Sequence, residues 1–246
     1  MIDREQTAPD AESGPFSYTL LTDPGVRKQL FLDAQALVDK IFASSRKKHP
    51  DVMFFLDRSA RPSAWLFQEA WKQTRPDVPM PDIKFINIGK EKADPNFLGK
   101  YASPGEQQRF IDRWRNHPFV QELRKFFPQE INGKKIWVVD EYEQEGVSVM
   151  IAKVLLEAAF LERGGNIISC YMHKNEPPWL WKESWIGVHE NKPGDLLVSP
   201  LPYGVGIDTA MKNIRGTAKI ERVFHPDQSK QLRKEIRALV KENILT

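Results

Sequence analysis

The sequence predicts an α/β protein: a doubly wound, mostly parallel sheet with an irregular C-terminal hood and a terminal helix. Two observations carry this. The segments DVMFFLD, KKIWVVDE and NIISCYMH hold continuous apolar runs, as strands covered on both faces do. Helical segments fall between them, the alternation of strand–helix–strand crossovers. In such sheets ligands bind at the carboxyl ends of the strands, so the loops after Leu56 and Val139 are where function is expected.

The elements follow in order. Residues 1–15, MIDREQTAPDAESGP, are polar, carry no apolar core of a secretory signal, and read as a mobile tail. SYTLLTD reads as a short extended piece. Asp23 is placed to cap a helix whose face is Leu30, Phe31, Ala34, Leu37, Val38, Ile41 and Phe42. The strand DVMFFLD ends at Asp57, and a helix with Pro62 in its first turn follows. IKFINIG is the second strand and residues 89–105 a long polar loop. Ser103 can cap EQQRFIDRWRN, and PFVQELRKFF makes a further short helix. KKIWVVDE is the third strand. A helix from Val147 to Arg163 stops at Gly164-Gly165, and NIISCYMH is the fourth strand. The core therefore spans 16–175. Residues 176–246 comprise the hood, rich in Pro, Gly and Trp, and a helix with the stripe Leu232, Ile236, Leu239, Val240 and Ile244.

Bulk composition narrows the function classes. The 246 residues are 41% hydrophobic and 28% charged, with net charge +3, ordinary for a globular protein with a sizeable core. That weak basic bias suits an anionic small ligand, and nucleic acid is not expected. The single cysteine, Cys170, lies in an apolar run and reads as a buried thiol; it excludes an intrachain disulfide and fits a reducing, cytoplasmic setting. No stretch reaches the roughly 18 apolar residues of a membrane span. The histidines His173, His189 and His225 show no metal-ligand spacing.

The most informative stretch is KKIWVVDEYEQEGVSVMIAKVLLEA. A buried strand ends on Asp140 and Glu141, a carboxylate pair able to hold a cation or the hydroxyls of a sugar. Gly146 to Ser148 then open a helix, whose free N–H groups favour an anion. The same residues also suit a plain strand-end turn, with Glu143 and Glu145 solvated. In FFLDRSARPSAWLF, Arg58, Ser59, Ala60 and Arg61 put positive charge and donors at the other turn, or are surface arginines pairing Asp57.

The run Asp140-Glu141-Tyr142-Glu143-Gln144-Glu145-Gly146-Val147-Ser148 resembles the phosphoribosyl pyrophosphate (PRPP) motif of type I phosphoribosyltransferases. The spacing fits without a gap. The resemblance implies that Asp140 and Glu141 contact the ribose hydroxyls and a Mg²⁺ shell. It implies that Gln144, Glu145, Gly146, Val147 and Ser148 wrap the 5′-phosphate. Arg58, Ser59, Ala60 and Arg61 resemble that family's pyrophosphate loop, in the same chain order. Two positions depart from the pattern: Glu145 replaces a hydroxyl residue just before Gly146, and Gln144 replaces an acid or Ala.

The family also implies a mobile basic loop between the motifs. From Lys84 to Lys125 there are nine Lys or Arg against five acids, and Lys90 and Lys92 are placed to reach a pyrophosphate, unless the segment is simply a solvated loop. A hood that recognises the base is the family's expectation for 176–246. There Trp179, Trp181, Trp185 and Tyr203 either stack on a heterocycle or form a small local core, with Trp185 the chosen stacking residue. The leading expectation is a PRPP- and Mg²⁺-dependent pentosyltransferase acting on a nitrogenous acceptor, with a phosphorylated sugar or nucleotide as ligand and the homodimer common in the family. The alternatives are a non-catalytic nucleotide-sensing regulator of the same fold and a different nucleotide-dependent α/β enzyme.

Overall fold

The computed structural model describes residues 16–43, 49–56, 60–86, 104–127, 131, 133–142, 147–160, 166–174, 185–190, 211–213, 220–223 and 226–244. The expected tail at 1–15, the cap Ser103 and the stop Gly164-Gly165 lie outside them.

Five strands form one sheet in the order β2-β1-β3-β4-β5, and all four pairings are parallel. They are β1 (Val52–Leu56), β2 (Asp82–Ile86), β3 (Lys135–Tyr142), β4 (Asn166–Lys174) and β5 (Trp185–Glu190). The helices are α1 (Pro24–Ala43), α2 (Ala60–Thr74), α3 (Pro104–Trp114), α4 (Pro118–Phe126), α5 (Val147–Phe160) and α6 (Pro226–Ile244). β6 (Met211–Asn213) and β7 (Ile220–Val223) pair antiparallel in a separate ribbon.

Side chains alternate across a strand, and two cores result. Val52, Phe54, Leu56, Ile136 and Val138 face one side, packed with apolar residues of α3, α4 and α5. Met53, Phe55, Trp137 and Val139 face the other, packed with α1, α2 and α6. All five β1 residues are buried. This is why the sequence reads as an unbroken apolar run there rather than as an alternation.

Helix ends follow local chemistry. The Asp23 side chain accepts the Val26 N–H at 2.9 Å and starts α1. His117 Nδ1 accepts the Phe119 N–H at 3.2 Å and Pro118 opens α4. At the other end of α5, Arg124 donates to the carbonyls of Ala159 (3.0 Å) and Ala158 (2.8 Å), satisfying acceptors a helix end leaves open. At the amino edge of the sheet, Asp51 Oδ2 accepts the Lys135 N–H at 2.7 Å, while its carbonyl accepts the Asp82 N–H at 3.0 Å. One residue thus aligns the starts of β1, β2 and β3. Gly133, at φ 68°, makes the turn into β3, a backbone state that glycine adopts without strain.

Two expectations are corrected. SYTLLTD is not one extended piece: it bends at Thr19 to Leu21, whose backbone donors are taken by a side chain. Glu235 of α6, fully buried, accepts the N–H groups of Thr19 (2.8 Å), Leu20 (3.0 Å) and Leu21 (2.7 Å). It also accepts the Thr19 hydroxyl at 2.7 Å and Gln231 Nε2 at 2.9 Å. Around this clasp the Tyr18 hydroxyl donates to Glu242 at 2.7 Å, and Arg27 donates to the Leu21 and Thr22 carbonyls, both at 2.9 Å. The second correction concerns 176–246. That segment is not irregular throughout: β5 extends the main sheet beside β4, and β6–β7 form a ribbon. Pro- and Gly-rich flanks hide β5, which is only six residues long.

Candidate functional site

The strand order fixes where a ligand site belongs. From β1 the chain moves to β2 on one side; β3, on the other side, continues outward to β4 and β5. Between β1 and β3 the winding reverses, and the crevice above such a reversal, at the carboxyl ends, is where open α/β sheets bind ligands. The carboxyl ends of β1 and β3 flank that crevice. The two loops singled out from the sequence follow these ends and lie outside the described residues.

The β1–β3 register sets Phe55 beside Val139. Asp140, the next residue on β3, is half-buried and pairs in register with Tyr171 of β4. It stands two residues beyond Val138, on the sheet face covered by α3, α4 and α5. Glu141 lies within β3, which continues to Tyr142. Across the carboxyl edge, Tyr142, His173 and His189 occupy one register row of β3, β4 and β5.

α5 begins at Val147, as the sequence implies, with Ser148 half-buried in its first turn. Because α5 follows β3 and returns to a parallel β4, its amino end lies at the carboxyl edge of the sheet. No acidic residue occupies that first turn. The positive end of the helix dipole, roughly half a charge, therefore sits one short loop from Asp140. This places a carboxylate acceptor next to an anion-favouring helix start. A sugar hydroxyl or a hard cation suits the first, and a phosphate suits the second.

The other sequence candidates fall differently. Arg58, Ser59, Gln144, Glu145, Gly146, Lys90 and Lys92 lie outside the described residues. Ala60 is fully buried as the first residue of α2. Arg61 belongs to α2 rather than to the loop before it, because the helix starts at Ala60 with Pro62 in its first turn. It is 3% exposed, and its guanidinium lies 3.8 Å over the Phe85 ring. Trp185 opens β5 in register with Ser169, hence level with Val138. That is two residues short of Asp140 and two strands, about 10 Å, away. Its backbone is part of the sheet, not of a separate hood.

Sequence reasoning missed the contribution of α6. Arg233 stacks 4.3 Å over Trp65 of α2, and Arg237 Nε lies 3.6 Å from Glu69. Burial, then the nearby charges of Arg61 and Arg237, push the Arg233 guanidinium below its ordinary value. The visible signal was a pair of basic residues one turn apart on α6, Arg233 and Arg237.

Among the described residues no group of three or more His, Cys, Asp or Glu could hold a metal, and no helix is long and apolar enough to cross a membrane. Comparison with protein-family models gives no match, and comparison with curated proteins gives no significant match either. What the fold and site define is an α/β protein with a parallel sheet and a half-buried carboxylate at its switch point.

Proposed function

We propose that the chain is a divergent, PRPP-binding member of the type I phosphoribosyltransferase kind, a cytoplasmic enzyme with a doubly wound core. The observation that carries the reading is the adjacency of β1 and β3. It puts the motif's half-buried Asp140, the start of α5 and the exit of β1 around one crevice. Asp140 and Glu141 would hold the ribose hydroxyls, and their charge would favour the positive anomeric carbon that forms as pyrophosphate leaves. Val147 and Ser148 would hold the 5′-phosphate, and Arg58 and Ser59 the pyrophosphate. The residues present fit Mg²⁺: this ion is usually held by one or two carboxylates plus substrate phosphates rather than by a dedicated protein cage. Half-buried Asp140, at the carboxyl edge of the sheet, is such a carboxylate. When bound, Mg²⁺ supplies charge neutralisation on the pyrophosphate.

A second reading rests on Gln144 and Glu145. A carboxylate where the motif carries a hydroxyl repels phosphate, and this favours a regulator that binds the nucleotide-like ligand without turning it over. The test is calorimetric titration of PRPP with Mg²⁺, on the natural chain and on the double variant Asp140→Ala/Glu141→Ala. Binding abolished by the double variant, with pyrophosphate released when a panel of bases is added, supports the enzyme. Binding without release supports the regulator. No binding to the natural chain sinks both.

A further inference from the structure

We infer that His173 of β4 and His189 of β5 form a second site, for a divalent transition-metal ion of the Zn²⁺ type. The inference rests on register. His173 is the Cα partner of His189 on one side and of Tyr142 on the other. The two histidines are far apart in the sequence and show no ligand spacing there; the parallel pairing of β4 with β5 makes them neighbours. Adjacent strands lie about 4.7–4.9 Å apart, and register partners share a face of the sheet. Two imidazole-bearing residues thus stand side by side on hydrogen-bonded backbone rather than on a loop.

The same register places this row relative to Asp140. Asp140 pairs with Tyr171, and Tyr171 with Gly187. The histidine row lies two residues further along each strand, so it shares the face of Asp140 and stands about 7 Å nearer the carboxyl edge. Gly187, two residues before His189, contributes no side chain to that face.

The residue types select the ion. Imidazole nitrogen suits Zn²⁺, Ni²⁺ and Cu²⁺, whereas Mg²⁺ takes oxygen donors. With Zn–N bonds of about 2.0–2.1 Å, two ring nitrogens on one tetrahedral ion are about 3.3 Å apart. Side chains rooted one strand spacing apart can close to that distance. Tyr142, the third residue of the row, carries a phenol oxygen, and the other positions of a four-coordinate ion are open to water or an oxyanion. Among the described residues β5 joins the sheet through β4 alone. An ion held by both histidines therefore cross-links that pairing and stabilises the folded chain. The site differs in donor type and position from a Mg²⁺ site beside Asp140, and it stands whether or not the ligand there is PRPP.

The test is calorimetric titration of Zn²⁺ alone, without PRPP, against the natural chain, His173→Ala, His189→Ala and the control His49→Ala. His49 packs on Phe42 just before β1, at the opposite edge of the sheet. The expected result is one ion bound saturably by the natural chain, at least tenfold more weakly by His173→Ala and by His189→Ala, and unchanged by His49→Ala. The double variant should be little worse than either single one, because both rings hold the same ion. No binding to the natural chain, unaltered binding to either variant, or an equal loss in His49→Ala would overturn the site. So would displacement of Zn²⁺ by equimolar Mg²⁺, which would move the ion to carboxylates. The natural chain supplies a readout independent of how the variants fold: the two histidine ring signals missing from the proton spectra of His173→Ala and His189→Ala are the ones that Zn²⁺ should shift. A shift confined to other histidines would refute the pair.

Discussion

Replacing Glu235 with Gln changes one atom and tests the clasp between the N-terminal segment and α6. Both carboxylate oxygens face only donors: Oε1 meets the Thr19 N–H and hydroxyl and Gln231 Nε2, and Oε2 meets the Leu20 and Leu21 N–H groups. An amide must turn its NH₂ toward one of these sets, leaving donors facing donors in a fully buried place. Losing two charge-assisted bonds at about 1.5 kcal/mol each gives a loss of about 3 kcal/mol. For a chain of this size that is a fall in melting temperature of about 6–12 °C. Urea unfolding at pH 7 measures it. Burial alone would push the Glu235 carboxyl up, but the bonds from Gln231, Leu21 and Thr19 outweigh it and hold it below its ordinary value of 4.5. The folded value is the lower one, so this stability is present above the unfolded value and lost as pH falls through the folded one. The gap between natural chain and variant should be full at pH 7 and shrink in acid. A loss under about 1 kcal/mol, or a gap independent of pH between 3 and 7, would refute the assignment.

Three further outcomes are expected. Trp137→Ala empties a fully buried position at the centre of the sheet and should cost about 3–5 kcal/mol, read from the urea midpoint. Arg124→Ala uncaps α5 and should cost about 1–3 kcal/mol, with faster hydrogen exchange confined to the helix end at Ala158 and Ala159; uniform exchange across the molecule would contradict the local role. Asp51→Ala should cost about 1 kcal/mol in thermal melts, and no change would show that the Lys135 N–H finds water equally well.

How much of this was legible depended on whether a residue's partners were close in sequence. The runs around Phe54 and Val138 announce strands buried on both faces, and Asp23 announces a helix start three residues before the N–H it accepts. Sheet order was not written in any one segment, yet it sets β1 and β3, the strands that precede the two loops, side by side. The strand β5 was hidden because tertiary pairing with β4, not local propensity, makes it a strand. Glu235 was in plain view: with Leu232, Ile236 and Leu239 it sits on the apolar face of α6. An acid there demands buried donors, but nothing local identifies Thr19 to Leu21 as their source. Arg61 read as a loop residue because its loop and helix join without a visible cap. Of the candidate site, Asp140 and the start of α5 fall where the sequence placed them.

The clasp also orders events during synthesis. Its hydrogen bonds join residues up to 216 apart in the chain, and α6 leaves the ribosome after every strand of the five-stranded sheet. Until then Met53, Phe55, Trp137 and Val139 have only α1 and α2 to cover them. One face of the sheet is therefore closed late, and the N–H groups of Thr19 to Leu21 gain their carboxylate acceptor only when Glu235 arrives. A nascent chain stalled before residue 226 would carry an open apolar face, the kind of surface that chaperones hold.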